Sequence, residues 1–218
     1  MSTYEVGEYK FPSVTTIISD SFNKSGGLLQ WSANCAVEYI KENGLVDNWY
    51  DEARFAYKNI STEALDIGSQ VHGHIEYYLK SGKEPRIEEE KTLSAFVAFI
   101  EFADSVNLEP ITLEETVIGE AWAGTLDFYG TMNGKLYVID FKTSKAHYMA
   151  EMGAQIAAYR SCKPEAVGSG ILRLDKETGY PDWKDYSKRY ESDLNVFNKC
   201  VELYYAKHPR IRKEAGKK

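Results

Sequence analysis

The stretch Trp122-Ala-Gly-Thr-Leu-Asp127-Phe-Tyr-Gly-Thr-Met132, Asn133-Gly134, Lys135-Leu-Tyr-Val-Ile-Asp140-Phe-Lys142 reads as a β-hairpin. Asn-Gly between two β-type runs is the strongest short hairpin signal, because a type I′ turn requires positive φ at both central residues. Pairing the strands symmetrically about that turn sets Asp127 directly opposite Asp140. Lys142 shares their face and falls opposite Thr125. Like charges about 5 Å apart repel by roughly 3 kcal/mol at an effective dielectric near 20, so the pair calls for a cation or a proton between them. Leu136, Val138 and Ile139 make Asp140 the end of an apolar strand of the kind buried on both faces. An acid and a base there are costly unless they coordinate something. The hairpin is expected to hold a metal.

Working outward, an apolar entry segment Pro12-Ser-Val-Thr-Thr-Ile-Ile precedes a helical half. Helices are predicted over 28–43, stopped by Gly44, and over 47–59. Ser61 or Thr62 is predicted to cap a third that carries Leu65, Ile67, Val71, Ile75, Tyr78 and Leu79 to Ser81-Gly82. A fourth spans 88–106. Strands follow at 111–118, 122–132 and 135–143, then a helix at 150–162, a strand at 167–174, a hairpin through Lys176-Glu-Thr-Gly179 and a final helix at 189–206. This order predicts an α/β protein of the α+β type, a mixed central sheet flanked by helices with an N-terminal helical elaboration. It divides one domain, 1–218, into a mainly helical part (1–107), a sheet core (108–175) and a C-terminal part (176–218).

At 218 residues, with 43% hydrophobic and 27% charged, the chain is long enough for a core and ordinary in composition for a soluble globular protein. It contains no run long enough for a membrane span, and its first residues resemble neither a signal nor a transit peptide, so a cytoplasmic location is expected. Cys35, Cys162 and Cys200 are odd in number and widely spaced, which argues against a disulfide framework and against a zinc or iron-sulfur site. A net charge of −7 restricts any nucleic-acid contact to local patches. One such patch is the tail from Lys207, with six basic residues and one acid, although a solvated end explains that composition equally well.

On the third helix Gly68, His72 and Glu76 recur every four residues and share a stripe. Gln155 and Tyr159 share a face of a later helix in the same way. Together with Gly124-Thr-Leu-Asp127, Val138-Ile-Asp140-Phe-Lys142-Thr-Ser-Lys145 and Pro12-Ser-Val-Thr-Thr-Ile, this text resembles the PD-(D/E)XK nuclease superfamily. More specifically, it is similar to the RecB-like exonuclease branch, which includes the mitochondrial genome maintenance exonuclease and many phage exonucleases. The resemblance covers roughly residues 11–175. It implies a restriction-endonuclease-like fold and a metal-dependent DNA exonuclease, in the host cytoplasm if phage-encoded, with replication or recombination proteins as further partners. It also implies that Asp127 and Asp140 bind Mg²⁺ or Mn²⁺ with the Phe141 carbonyl and His72, and that Lys142 is catalytic. Thr143, Ser144, Gln155 and Tyr159 would line the site or the DNA path. Some relatives carry four cysteines for an iron-sulfur cluster; this chain does not.

The residue types suit that chemistry. Hard divalent cations favour carboxylate and carbonyl oxygens, and an imidazole ligand makes Mn²⁺ as suitable as Mg²⁺. Lys142 beside the ion is placed to offset charge developing on a phosphate. Glu76 either orients His72 or is a surface acid. Two other readings remain: a non-catalytic nucleic-acid-binding module on a nuclease fold, and a structural or interaction protein. The second draws on the acidic balance and the aromatics Trp31, Tyr39, Trp49, Tyr50, Phe55 and Tyr57, which suit either packing or stacking against single strands.

Overall fold

Asn133 (φ 51°) and Gly134 (φ 74°) both take left-handed backbone in the turn that joins β4 (Ala123–Met132) to β5 (Lys135–Lys142), as the turn chemistry predicts. Around this hairpin the computed structural model describes residues 3–7, 9–22 and 25–209. The basic tail over 210–218 lies outside them. The five-stranded sheet runs β3 (Leu108–Ile118), β4, β5, β6 (Gly168–Leu174) and β7 (Pro181–Asp185) in spatial order. All neighbours are antiparallel except β5 and β6, which the crossover helix α5 (Met149–Ser161) joins in parallel. The protein has an α+β fold with helices flanking a mixed sheet.

The chain divides into two compact units. The larger joins residues 3–22 to 71–209. It begins with an antiparallel hairpin, β1 (Thr3–Val6) and β2 (Tyr9–Pro12), and α1 (Val14–Ser21), where the sequence pattern suggested only an apolar entry segment. Ser13 caps α1 by accepting the Thr16 amide at 3.0 Å and forms a parallel bridge with Ala123. The C-terminal part of α3 (Trp49–Ser81) and α4 (Glu90–Ser105) also belong to this unit, as does α6 (Tyr190–Lys207). The helices of 1–107 are thus shared between two units. The smaller unit, 25–70, holds α2 (Ser25–Asn43) and the first part of α3, with Trp31 edge-on to Tyr57 and Cys35, Ala53, Ala56 and Ile67 buried.

Two expectations about this region are corrected. The helices expected over 47–59 and from Ser61 are one continuous helix of 33 residues. Ser61 does not cap it; its hydroxyl donates to the Tyr57 carbonyl at 2.8 Å, and with no Gly or Pro nearby the ladder continues past it. Likewise β3 starts three residues earlier than the apolar pattern implied, because an edge strand tolerates Pro110 and a bulge between Pro110 and Thr112 absorbs Ile111.

Alternation along β5 explains how the layers form. Asp140 meets α5 through Gln155, while Phe141 meets α4 through an edge-to-face contact with Phe99, so the two helices cover opposite faces. Helix α5 is buried continuously from Met152 to Tyr159 because the sheet lies on one side and α1 and α6 on the other. A polar residue such as Gln155 is tolerated there only with a partner. Among the described residues no helix is long and apolar enough to cross a membrane.

Candidate metal centre

The paired register about the turn holds from Met132↔Lys135 to Phe128↔Ile139 and ends there. Asp127 and Asp140 do not continue the ladder, and Lys142 does not pair with Thr125, which contradicts the symmetric extrapolation. Instead the Asp127 carboxylate takes over a backbone role. Its Oδ2 accepts the Phe141 amide at 2.8 Å. Beyond this point β4 stays registered with β3, Thr125 facing Thr116, while β5 pairs with β6. Opposing two buried anions would be repulsive, and moving one onto an amide both separates them and satisfies a donor.

Both carboxylates are buried, Asp127 at 7% exposure and Asp140 at 1%. Burial, reinforced by the charge of Asp140, pushes the Asp127 pKa up to about 7. Asp140 is held from two sides: Oδ1 accepts from Gln155 Nε2 at 3.0 Å and Oδ2 meets Lys142 Nζ at 2.5 Å. Burial alone would lower the Lys142 pKa, yet the charges of Asp140 and Asp127 overcome it and hold the ammonium protonated. Gln155 Nε2 also approaches Tyr159 Oη at 3.4 Å, and burial keeps that phenol well above its ordinary pKa. Helix α5 therefore supplies Gln155 and Tyr159 from one face, as their spacing predicted.

His72, on the C-terminal part of α3, enters the same site. Its Nε2 lies 3.2 Å from the Phe141 carbonyl oxygen and its Nδ1 lies 3.3 Å from Glu114 Oε1 and 3.8 Å from Asp127 Oδ1. Both close partners are acceptors, so a ring protonated on both nitrogens satisfies them together. Burial opposes that charge, but the Glu114 hydrogen bond and the nearby carboxylates outweigh it and raise the pKa to about 9.

Glu114 is the residue that sequence reasoning missed. It sits in mid-strand with φ 50°, between Leu113↔Phe128 and Glu115↔Leu126, and is itself unregistered. A glutamate in left-handed backbone inside a strand is a strained conformation of the sort concentrated at functional sites. Among the described residues His72, Glu114 and Asp127 bring ligand atoms within 4.8 Å of one another. One imidazole and two carboxylates form a donor set that suits Mg²⁺ or Mn²⁺. Asp140 stands beside this group, engaged by Lys142 and Gln155.

The remaining expected residues are placed as follows. Glu76 pairs with Lys80 at 2.5 Å, so Glu114 takes the orienting role considered for it. The physical reason is that Lys80, one turn further along α3, takes the Glu76 carboxylate, while the His72 Nδ1 is met from β3 by Glu114. Ser144 donates to the Ala146 carbonyl at 3.0 Å and shapes the turn after β5, and Thr143 is half-buried beside it. Compared with known proteins, the chain matches no protein-family model and no curated protein.

Proposed function

We propose that this protein is a metal-dependent deoxyribonuclease that hydrolyses phosphodiester bonds from a free DNA end, in the manner of the RecB-like PD-(D/E)XK exonucleases its motifs resemble. The observation that carries the reading is the convergence of His72, Glu114 and Asp127, from two strands and a helix, beside the ion pair of buried Asp140 with half-buried Lys142. His72, Glu114, Asp127 and Asp140, with the Phe141 carbonyl, would hold Mg²⁺ or Mn²⁺. When bound, such an ion supplies Lewis acidity toward water and the phosphoryl oxygens. Asp140 fixes the Lys142 ammonium at the edge of the donor set, and Gln155 fixes Asp140. Lys142 Nζ, kept protonated, donates to a phosphoryl oxygen and offsets the negative charge that grows there in the transition state. His72 must give up a proton to ligate, so metal uptake is coupled to proton release.

The test is cleavage of end-labelled linear single- and double-stranded DNA with Mg²⁺ or Mn²⁺, with chelator and a covalently closed circle as controls. Short products from linear DNA, none in chelator and an intact circle are expected. Undiminished activity in excess chelator refutes the metal requirement, and equal cleavage of the circle refutes the requirement for an end.

A further inference from the structure

Beside the carboxylates lies a row of hydroxyl groups that metal binding does not use. Tyr4, on β1 of the N-terminal hairpin, places its hydroxyl 2.8 Å from Thr125 Oγ1 on β4, two residues from Asp127. Both side chains are half-buried. Gly124, the neighbouring residue, lies so close to Tyr159 that a Cβ there would come within 2.7 Å of its ring, which brings the third hydroxyl alongside.

The proton inventory of this row is informative. Two hydroxyls carry two O–H donors, and the bond between them consumes one. Among the described residues neither Tyr4 nor Thr125 has another side-chain partner, so one donor remains for an outside acceptor. The Tyr159 hydroxyl accepts from Gln155 and keeps its own proton too. The hairpin does not depend on the Tyr4 bond for its place, since the Ser13–Ala123 bridge and buried Phe11 already tie it to the core.

We infer that Tyr4 and Thr125 form a binding subsite for the phosphate next to the scissile one, making the N-terminal hairpin part of the substrate channel. This rests on the nuclease reading above. Two residues of strand span about 7 Å, comparable with the step between neighbouring phosphates on a single strand. The donors are neutral, whereas Lys142 is the cation at the reacting centre. Neutral hydroxyls orient a phosphate through hydrogen bonds without trapping it as an ammonium or guanidinium would, which suits a strand that must advance after each cut.

The experiment measures binding, in chelator, of a short fluorescein-labelled single-stranded oligonucleotide by anisotropy. Tyr4→Phe combined with Thr125→Val, which keeps both shapes and removes both hydroxyls, should weaken affinity about tenfold, the scale of one hydrogen bond to a charged oxygen, whereas either change alone leaves one donor and should cost less. The salt dependence should not change, because a neutral donor displaces no counterion. Replacing the neighbouring linkage by a methylphosphonate should weaken the native protein similarly and weaken the double variant no further. Unchanged affinity in the double variant, or a methylphosphonate penalty that multiplies with it, overturns the inference. Native protein that binds but does not cut with metal refutes the nuclease reading and leaves only a phosphate-binding pair of hydroxyls; native protein that does not bind in chelator refutes the subsite, and cleavage with metal then decides the nuclease reading separately.

Discussion

Across 25–70 the side chains of Leu28, Leu29, Val37, Leu45, Val46, Tyr50, Ile60 and Leu65 stand exposed, whereas β4 and β5 bury Leu126, Phe128, Val138, Ile139 and Phe141 together with two aspartates. The sheet unit buries Asp127 and Asp140 and gives each a partner, the Phe141 amide for the first and Lys142 and Gln155 for the second. The helical unit leaves many of its apolar residues on the surface and buries small ones such as Cys35, Ala53 and Ala56. Arg54 and Lys58 sit over the Phe55 ring in that unit, and the carboxylate that Arg54 meets, Asp51, is exposed. The contrast teaches that, among the described residues, buried charge is confined to the sheet unit, while the much shorter helical unit carries a disproportionate share of the exposed apolar side chains.

The sharpest break of this comparison is in catalysis. Asp127→Ala or Asp140→Ala should abolish DNA cleavage, and Lys142→Ala should lower kcat by about a hundredfold or more while metal binding persists. Arg54→Ala in the helical unit should leave kcat on saturating DNA within a few fold. Comparable losses at Arg54 and Lys142 in single-turnover assays would show that the chemistry is not confined to the sheet unit.

Stability should divide in the same way. Phe99→Ala removes the ring packed on Phe141 and should cost about 3–5 kcal/mol in urea unfolding. Leu65→Ala, at an exposed position, should fall within about 0.5 kcal/mol. A large loss at Leu65 would mean that the exposed apolar face is covered in solution.

Metal affinity offers a smaller contrast. Glu114→Gln should weaken Mn²⁺ binding by about ten- to a hundredfold or more in calorimetric titration, because it removes one carboxylate of the donor set and the acidic partner of His72. Glu52→Gln, an exposed acid of the helical unit, should leave affinity unchanged. His72→Ala should weaken Mn²⁺ more than Mg²⁺, since imidazole prefers the softer ion.

The mildest effect is in pH dependence without metal. Asp127 is raised from 3.8 to about 7, so the folded state holds an extra proton in that interval and stability falls as pH rises through it. His72 is raised from 6.5 to about 9, and its contribution, complete below 6.5, is lost as pH rises through 9. The thermal midpoint of metal-free protein should decline from pH 4 to 9, more shallowly between 4 and 7 in Asp127→Asn, and divalent metal should restore it most at the alkaline end. A midpoint that rises over pH 4–7 would contradict the buried, proton-holding state of Asp127.

Much of the sheet and part of the candidate site were legible from local patterns. Asn133-Gly134 dictates a left-handed turn whatever surrounds it, and that turn sets the register of five residue pairs, which brings Asp127 and Asp140 near one another. The four-residue spacing of Gln155 and Tyr159 likewise places both on one side of α5. The helical half was less legible. Ser61 is equally compatible with a cap and with a continuing helix, because its hydroxyl can bond forward to an amide or back to a carbonyl, and the surroundings decide which.

The sequence by itself determined the turn, the alternation of β5 and the presence of two acids and a lysine at its end, since each depends on residues within a few positions of one another. Only the tertiary structure decided where the β4–β5 ladder stops, that Glu114 rather than Glu76 meets His72, and that Tyr4 reaches Thr125. The reason is distance along the chain. Glu114 lies 42 residues from His72, and Tyr4 lies 121 from Thr125. No periodicity connects residues so far apart; their meeting follows from how the sheet edge, α3 and the first hairpin pack, and Glu114 adopts a backbone conformation that its own side chain disfavours.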